Sequence, residues 1–413
     1  MPGAATLRPR RSRSPREWAF RGGFAIVALA LGYVSTSETL ALVLSRSNPA
    51  RAYAINDHDG RIGVRLAEQL VTSGNAGPAQ FAHAERIARR ALRDEPLSAG
   101  ALTVLGLNAQ RRGDTAAARA LFARSDALSR RELGTRLWLI EDAVARGDIA
   151  GALRHYDIAL RTSTRAPDLL YPVLASAIAD PRIARETVRV LEGRPAWSGM
   201  FVDYLATSGP DARSTARLFR ALAQAHVPVP EVATANAVNA LITAGAFDAA
   251  WNYYSALRKG ADRRRSRDAD FGAQVAVPTA LDWTPVMLDA GVTASIQQST
   301  TDGVFDFAAP ATVGGVVLQQ MQVLPPGRYR IEGRSVGIAQ DDGQRPYWTL
   351  LCIDGRELGR VEVPNSSQAE GRFFGELTVG AGCPAQTLRL VVRPSNAIGG
   401  VSGQIDRVEL RPS

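Results

Sequence analysis

One pattern recurs at a fixed spacing and constrains this chain more than any other feature. LGLNAQRRGDTAAARALF begins at Leu105, and LIEDAVARGDIAGALRHY begins at Leu139, so that Gly113 and Gly147 stand 34 residues apart. Each glycine is followed by Asp, then by a small residue (Ala118, Ala152), then by an aromatic (Phe122, Tyr156). A third copy keeps Gly245, Ala250 and Tyr254 at the same offsets. Self-similarity at this period marks stacked helix–turn–helix units. The glycine ends one helix in a left-handed conformation, and the Asp after it caps the next. The small residue lets two helices approach, and the aromatic fills the groove beside it.

Helical periodicity surrounds these copies. Six helix pairs are expected: Ile62 to Asp94, Ser98 to Ser129, Gly134 to Thr162, Pro167 to Leu191, Trp197 to Ala225 and Glu231 to Leu257. Apolar residues within them recur at spacings of three and four, which puts each set on one stripe facing a neighbouring helix. Within a helical domain placed at 52–260, residues 62–260 resemble the tetratricopeptide repeat family on the Gly-x4-Ala-x3-aromatic copies. The chain departs from that family where Ile140 stands in place of the Gly106 of the preceding unit, and in its fourth and fifth pairs, which lack signature residues. The resemblance implies a solenoid whose concave face holds a protein partner.

The N-terminus predicts export. Six Arg and one Glu occupy residues 1–21, read as a basic cytoplasmic tail. Residues 22–44 hold one charge, Glu38, and would make a helix of about 34 Å, enough for a bilayer core. The reading is an uncleaved signal anchor in a bacterial inner membrane, single-pass, with the arginine end cytoplasmic and the domains periplasmic. A cleaved signal peptide is the rival, because STSET (35–39) interrupts the apolar run. The net charge of +9 does not mark a nucleic-acid groove: residues 45–274 carry 32 basic and 24 acidic side chains, residues 275–413 carry 11 and 14, and no recognition motif accompanies them. No nucleic-acid partner is expected.

The charged run RKGADRRRSRDAD (258–270) reads as a solvated boundary, with the linker placed at 261–275. From 276 to the end the period changes to two. Tyr329 and Ile331 alternate with arginines and Glu332; Leu388, Leu390 and Val392 alternate with Arg389 and Arg393. About eight antiparallel strands in a two-sheet sandwich are expected. The fold class is therefore multidomain α plus β: one transmembrane helix, an all-α solenoid and a C-terminal antiparallel sandwich. VLPPGRYRIEG and the strand holding Tyr347 and Trp348 resemble the galactose-binding-like jelly rolls that include many carbohydrate-binding modules. That resemblance implies ligand contact by aromatic and polar side chains, with Tyr347, Trp348, Trp283, Arg330, Arg389 and Arg393 as candidates. Trp348 shares its strand face with Leu350 and Cys352, which favours the core for it. Cys352 and Cys383, the only cysteines, read as a disulfide in an exported domain.

No catalytic constellation is present: there is no GxSxG, HExxH, phosphate loop or dinucleotide fingerprint. His58, His83, His155 and His226 lack metal-ligand spacing, and Asn56 to Gly60 reads as a polar turn rather than a calcium loop. No cofactor is expected. The expected function is a non-catalytic, membrane-anchored periplasmic scaffold in envelope assembly or polysaccharide export. Its solenoid would bind a protein partner, and its β module a glycan, perhaps acidic, or a second protein. A lectin-like protein with a passive helical spacer and a glycan-modifying enzyme are the alternatives. A topology reporter fused after Ser413 is expected to be active only outside the cytoplasm; cytoplasmic activity would overturn the proposed orientation.

Overall fold

The computed structural model describes residues 15–287, 291–298 and 302–413. The arginines at 8, 10, 11 and 13 of the basic tail lie outside the described residues. Contacts group the chain into two compact units that divide between Pro167 and Asp168, and each is described by itself.

The first unit opens with α1 (Pro15–Ser47), the one helix among the described residues long and apolar enough to cross a membrane; a signal sequence passes the same test. STSET does not interrupt it. Thr36 donates to the Gly32 carbonyl at 2.7 Å, Ser37 to that of Val34 at 2.9 Å and Thr39 to that of Ser35 at 2.8 Å. These three hydroxyls are satisfied by their own helix, which makes them compatible with an apolar surround. The last turns of α1 belong to the protein interior: Ala41 and Ser45 are buried, and Ala41 packs with Ala52 and Ile62. The second apolar piece (LALVL) therefore gives one face to the core of the folded domain.

Seven helices follow in this unit: α2 (Pro49–Ile55), α3 (Gly60–Thr72), α4 (Pro78–Asp94), α5 (Ala99–Arg111), α6 (Thr115–Leu128), α7 (Leu133–Ala145) and α8 (Ile149–Thr162). The 34-residue pattern folds as its chemistry dictates. Gly113 and Gly147 take φ of +78° and +72°, and the Asp114 and Asp148 carboxylates accept from the Ala117 and Gly151 backbones at 2.9 and 2.8 Å. Phe122 is fully buried and stacks on Trp138 with centroids 4.3 Å apart. A Cβ at Gly106 would meet the Phe122 ring at 2.8 Å, so glycine is what lets α5 approach α6 there. The Asn56–Gly60 segment is a polar turn, with Asp59 capping α3 through the Arg61 backbone at 2.8 Å.

In the second unit the helices are α9 (Ala166–Ala177), α10 (Pro181–Glu192), α11 (Ser198–Ser208), α12 (Ala212–Gln224), α13 (Glu231–Thr243) and α14 (Phe247–Leu257). Among the described residues ten strands follow: β1 (Thr284–Pro285), β2 (Thr293–Gln298), β3 (Gly303–Ala309), β4 (Gly315–Gln322), β5 (Gly327–Val336), β6 (Tyr347–Cys352), β7 (Glu357–Glu362), β8 (Arg372–Val379), β9 (Gln386–Val392) and β10 (Val401–Pro412). They form two antiparallel sheets, in the orders β1-β4-β9-β6-β7 and β2-β3-β10-β5-β8. The inward residues of both sheets make one core, including Phe305, Ile331, Trp348, Leu390 and Ile405. Cys352, at the end of β6, is disulfide-bonded to Cys383.

The charged stretch at 261–275 is not a solvated linker. The Ser266 amide donates to Leu410 at 2.8 Å, and the Val408 amide to Ala269 at 2.8 Å, tying the stretch to β10. Arg267 is buried; its Nε donates to the Leu281 carbonyl at 2.7 Å, its Nη1 to Gln322 Oε1 at 3.0 Å and its Nη2 to the Met321 carbonyl. Arg263 reaches both Asp248 of α14, at 2.6 Å, and the Val323 carbonyl, at 2.7 Å. A charge run in sequence thus becomes a strap, because its arginines find acceptors that solvent would otherwise supply.

Removing the Phe122 ring leaves a cavity between α5, α6 and α7. Phe122→Ala is expected to destabilise the first unit by about 3–5 kcal/mol, read as a lower thermal midpoint and earlier proteolysis of its helices.

Candidate functional site

The predicted binding residues separate by strand face. On β6, alternation puts Trp348 and Leu350 on the inner face of the sheet and Tyr347 and Thr349 on the other, where Tyr347 is half-buried and Thr349 is covered by its neighbours. Trp348 is fully buried, and Trp283, 5% exposed, crosses it edge-on at 5.8 Å while its indole N–H donates to the Asp268 carbonyl at 2.9 Å. Both tryptophans are core residues, packed too deeply to meet a ligand, and they leave the candidate set. Arg330 lies on the other sheet, where its guanidinium sits 4.9 Å from the exposed Phe374 ring and pairs with Glu332 at 3.2 Å. It does not join the others.

Tyr347, Arg389 and Arg393 do come together, on the outward face of the β1-β4-β9-β6-β7 sheet. Register sets the arrangement. Thr349 pairs with Arg360 on β7 and with Arg389 on β9, which in turn pairs with Gln319 on β4. Arg360, Thr349, Arg389 and Gln319 therefore form one row across four strands, and Glu362, Tyr347 and Val391 form the row beside it. The Tyr347 ring has the Arg360 guanidinium 4.2 Å from its centroid and that of Arg393 at 4.6 Å. Two carboxylates hold these arginines: Glu357 takes Arg360 through both oxygens at 2.9 Å, and Glu362 takes Arg393 at 2.7 Å. The Glu357 bond also raises the Arg360 pKa above its ordinary value.

Arg389 differs from its neighbours. Its Nε is buried and has no hydrogen-bond partner among the described residues. A buried donor left unpaired costs about 1–3 kcal/mol, and an acceptor placed on this face would recover it. The row thus combines an aromatic ring, two guanidiniums in place over it and one donor without a partner. That set suits a ligand with a flat apolar ring face and anionic or hydroxyl oxygens at its edge. Arg360, Thr349 and Gln319 were missed in the sequence reading. The alternation of Arg360 with Val361 and Val363 placed it on a polar face, but only strand register puts it beside Tyr347.

A larger cleft, about 930 Å³, lies where the strap, α14 and the β1–β2 edge meet. Its buried and half-buried carboxylates are already engaged. Asp282 accepts from the Tyr254 hydroxyl at 2.6 Å and from Thr279 at 2.8 Å, and burial raises the Asp268 pKa while its carboxylate accepts from the Ala273 amide at 2.9 Å. The Tyr254–Asp282 bond joins helix to sandwich across this cleft. Among the described residues, no group of three His, Cys, Asp or Glu side chains converges to hold a metal ion.

No protein-family model and no curated protein matches the chain. Among solved structures, a glycosylation-associated protein (Gap123) complex from Streptococcus agalactiae matches at 10% identity, over 29% of this chain and 38% of that one, with a TM-score of 0.20. The C-terminal CBM6 of LamC, a laminarinase from Zobellia galactanivorans, matches at 17% identity, over 32% of this chain and 91% of that one, with a TM-score of 0.20. The enzymatically active domain of tailspike protein 4 of bacteriophage CBA120 matches at 14% identity, over 31% of this chain and 18% of that one, with a TM-score of 0.21. At these TM-scores none of the likenesses determines a fold or a function.

In the first unit, Glu68 on α3 and Glu132 at the start of α7 approach the same helix position, Gly100. Burial, and then the charge of Glu132, push the Glu68 pKa up to about 7. The folded state therefore holds a proton that the unfolded chain releases near pH 4.5. Stability falls as pH rises through that window and levels off above 7. Glu68→Gln is expected to flatten this dependence and to exceed the parent in stability at pH 8 by up to about 3 kcal/mol. Unfolding curves at pH 5 and pH 8 check it.

Proposed function

We propose that this protein is a non-catalytic, membrane-anchored scaffold on the periplasmic side of a bacterial inner membrane. Its helices form a tetratricopeptide-like array that holds a protein partner, and its sandwich binds an acidic glycan on the outward face carrying Tyr347. Envelope assembly or polysaccharide export is the setting in which such a pairing is useful. The observation that carries the glycan reading is the unpartnered Arg389 donor beside a tyrosine ring flanked by Arg360 and Arg393. A uronic acid presents a carboxylate for Arg389 and a C–H face for Tyr347. The apolar α1 and the Cys352–Cys383 disulfide support export of the folded domains.

Binding of polygalacturonate and of a neutral β-glucan to the full chain in lipid nanodiscs tests the reading. Polygalacturonate is expected to bind more tightly and with salt dependence. Tyr347→Ala and Arg389→Ala should each weaken it by about tenfold, equivalent to about 1.4 kcal/mol, while Arg330→Ala leaves it unchanged. Equal binding by all four proteins, or none by the parent, would sink the glycan assignment.

A further inference from the structure

The second unit also presents a cationic surface that the sandwich does not use. Helix α10 carries Arg182, Arg185 and Arg189, and α12 carries Arg213, Arg217 and Arg220; all six are exposed. Each set recurs at spacings of three and four residues, so each forms one stripe along its helix. The helices pack against each other, and between them runs a groove of about 340 Å³ floored by Ile178, Val188 and Leu218 and edged by Arg185, Arg189 and Arg217. Val188 and Ala184, which faces it, are only half-buried, although α10 has a sharply apolar side.

Carboxylates on these helices do not cancel the stripe. Asp180 and Asp211 are helix caps, with Asp180 also pairing Arg182 at 2.9 Å, and Glu186 pairs Arg189 at 2.6 Å. Glu192 lies at one end of the groove. Among the described residues the Arg217 side chain hydrogen-bonds only the Ser214 hydroxyl, at 2.7 Å, and its charge also acts on the Asp211 carboxylate. The Arg185 side chain has no ion pair or hydrogen bond among the described residues. Like charges one turn apart destabilise a helix by a few tenths of a kcal/mol per pair, so the stripe needs an outside anion to become favourable.

We propose that the α10–α12 groove docks an acidic, amphipathic helical segment of a partner protein. Apolar side chains one turn apart enter between Val188 and Leu218, and carboxylates beside them meet Arg185, Arg189 and Arg217. The apolar floor decides against an anionic glycan, which would leave it uncovered and which finds no aromatic platform there. The proposal rests on the scaffold reading and names the chemistry of the protein partner.

The test uses the full chain in lipid nanodiscs and a fluorescein-labelled synthetic helical peptide with Glu and Leu at four-residue spacing. Controls replace every Leu by Ser or every Glu by Gln. The parent is expected to bind the first peptide, and both controls should bind at least about tenfold more weakly. Arg185→Glu with Arg217→Glu should abolish binding, Arg185→Gln with Arg217→Gln should weaken it about tenfold, and thermal unfolding confirms that both variants fold. Tyr347→Ala should leave peptide binding intact, and polygalacturonate should not displace the peptide, which separates this site from the sandwich face. Three results overturn the proposal: no binding of the amphipathic peptide, equal binding by the Leu-to-Ser peptide, or equal binding by the doubly substituted proteins. Equal binding by the Leu-to-Ser peptide would mean a plain polyanion surface, and equal binding by the doubly substituted proteins would place the peptide outside this groove.

Discussion

The second unit depends on one buried cation. Arg267 sits in the interior with its guanidinium bonded to the Leu281 and Met321 carbonyls and to Gln322, while its backbone amide donates to Gln320. Desolvation lowers its pKa to about 10, opposed by the neighbouring Asp282 and by Tyr254, whose hydroxyl donates to Asp282. A buried guanidinium is tolerated only where every donor finds an acceptor. Here those acceptors come from the loop before β1 and from β4, while the Trp251 and Tyr254 rings of α14 stand 5.7 and 5.8 Å from the guanidinium. Helix, strap and sheet meet at a single charge. The terminal helices of this unit are consequently fixed to the sandwich through Tyr254, Arg263 and the Asn239–Ala280 bond, which weighs against a freely jointed spacer.

The sequence made helices legible wherever one residue had one job. A glycine followed by Asp specifies a left-handed turn and then a cap, and both appear at Gly113 and Gly147. Six helix pairs were readable because their boundaries lie at Pro, Gly and Asp. Strand alternation likewise separated Tyr347 from Trp348. Legibility failed where the partner is remote. The hydroxyls of Thr103, Ser125 and Thr135 form a buried cluster linking three helices, yet each reads alone as an ordinary surface residue. Arg267 read as part of a solvated run because nothing local announces Gln322, 55 residues away. STSET reads as a break because it interrupts the apolar run, whereas the Thr36, Ser37 and Thr39 hydroxyls bond to their own helix.

The same distinction separates the two proposed surfaces. The sandwich face needs strand register: Arg360, Tyr347 and Arg389 come from three strands, and no spacing in the chain brings them together. The α10–α12 surface needs only helical period, since Arg182, Arg185 and Arg189 fall on one stripe by arithmetic. What sequence cannot supply for the second surface is the neighbour that turns two stripes into a groove, lined by the buried Leu218 of α12 and the half-buried Val188 of α10. Both surfaces are cationic, yet they differ in what lies beneath the charge. Beneath one is an aromatic ring, which suits the C–H face of a sugar. Beneath the other is an aliphatic floor, which suits leucine-like side chains and gives a polysaccharide no reason to stay. Carrying both on one compact unit would let an anionic polymer and an acidic protein segment be held together without competing for a single site.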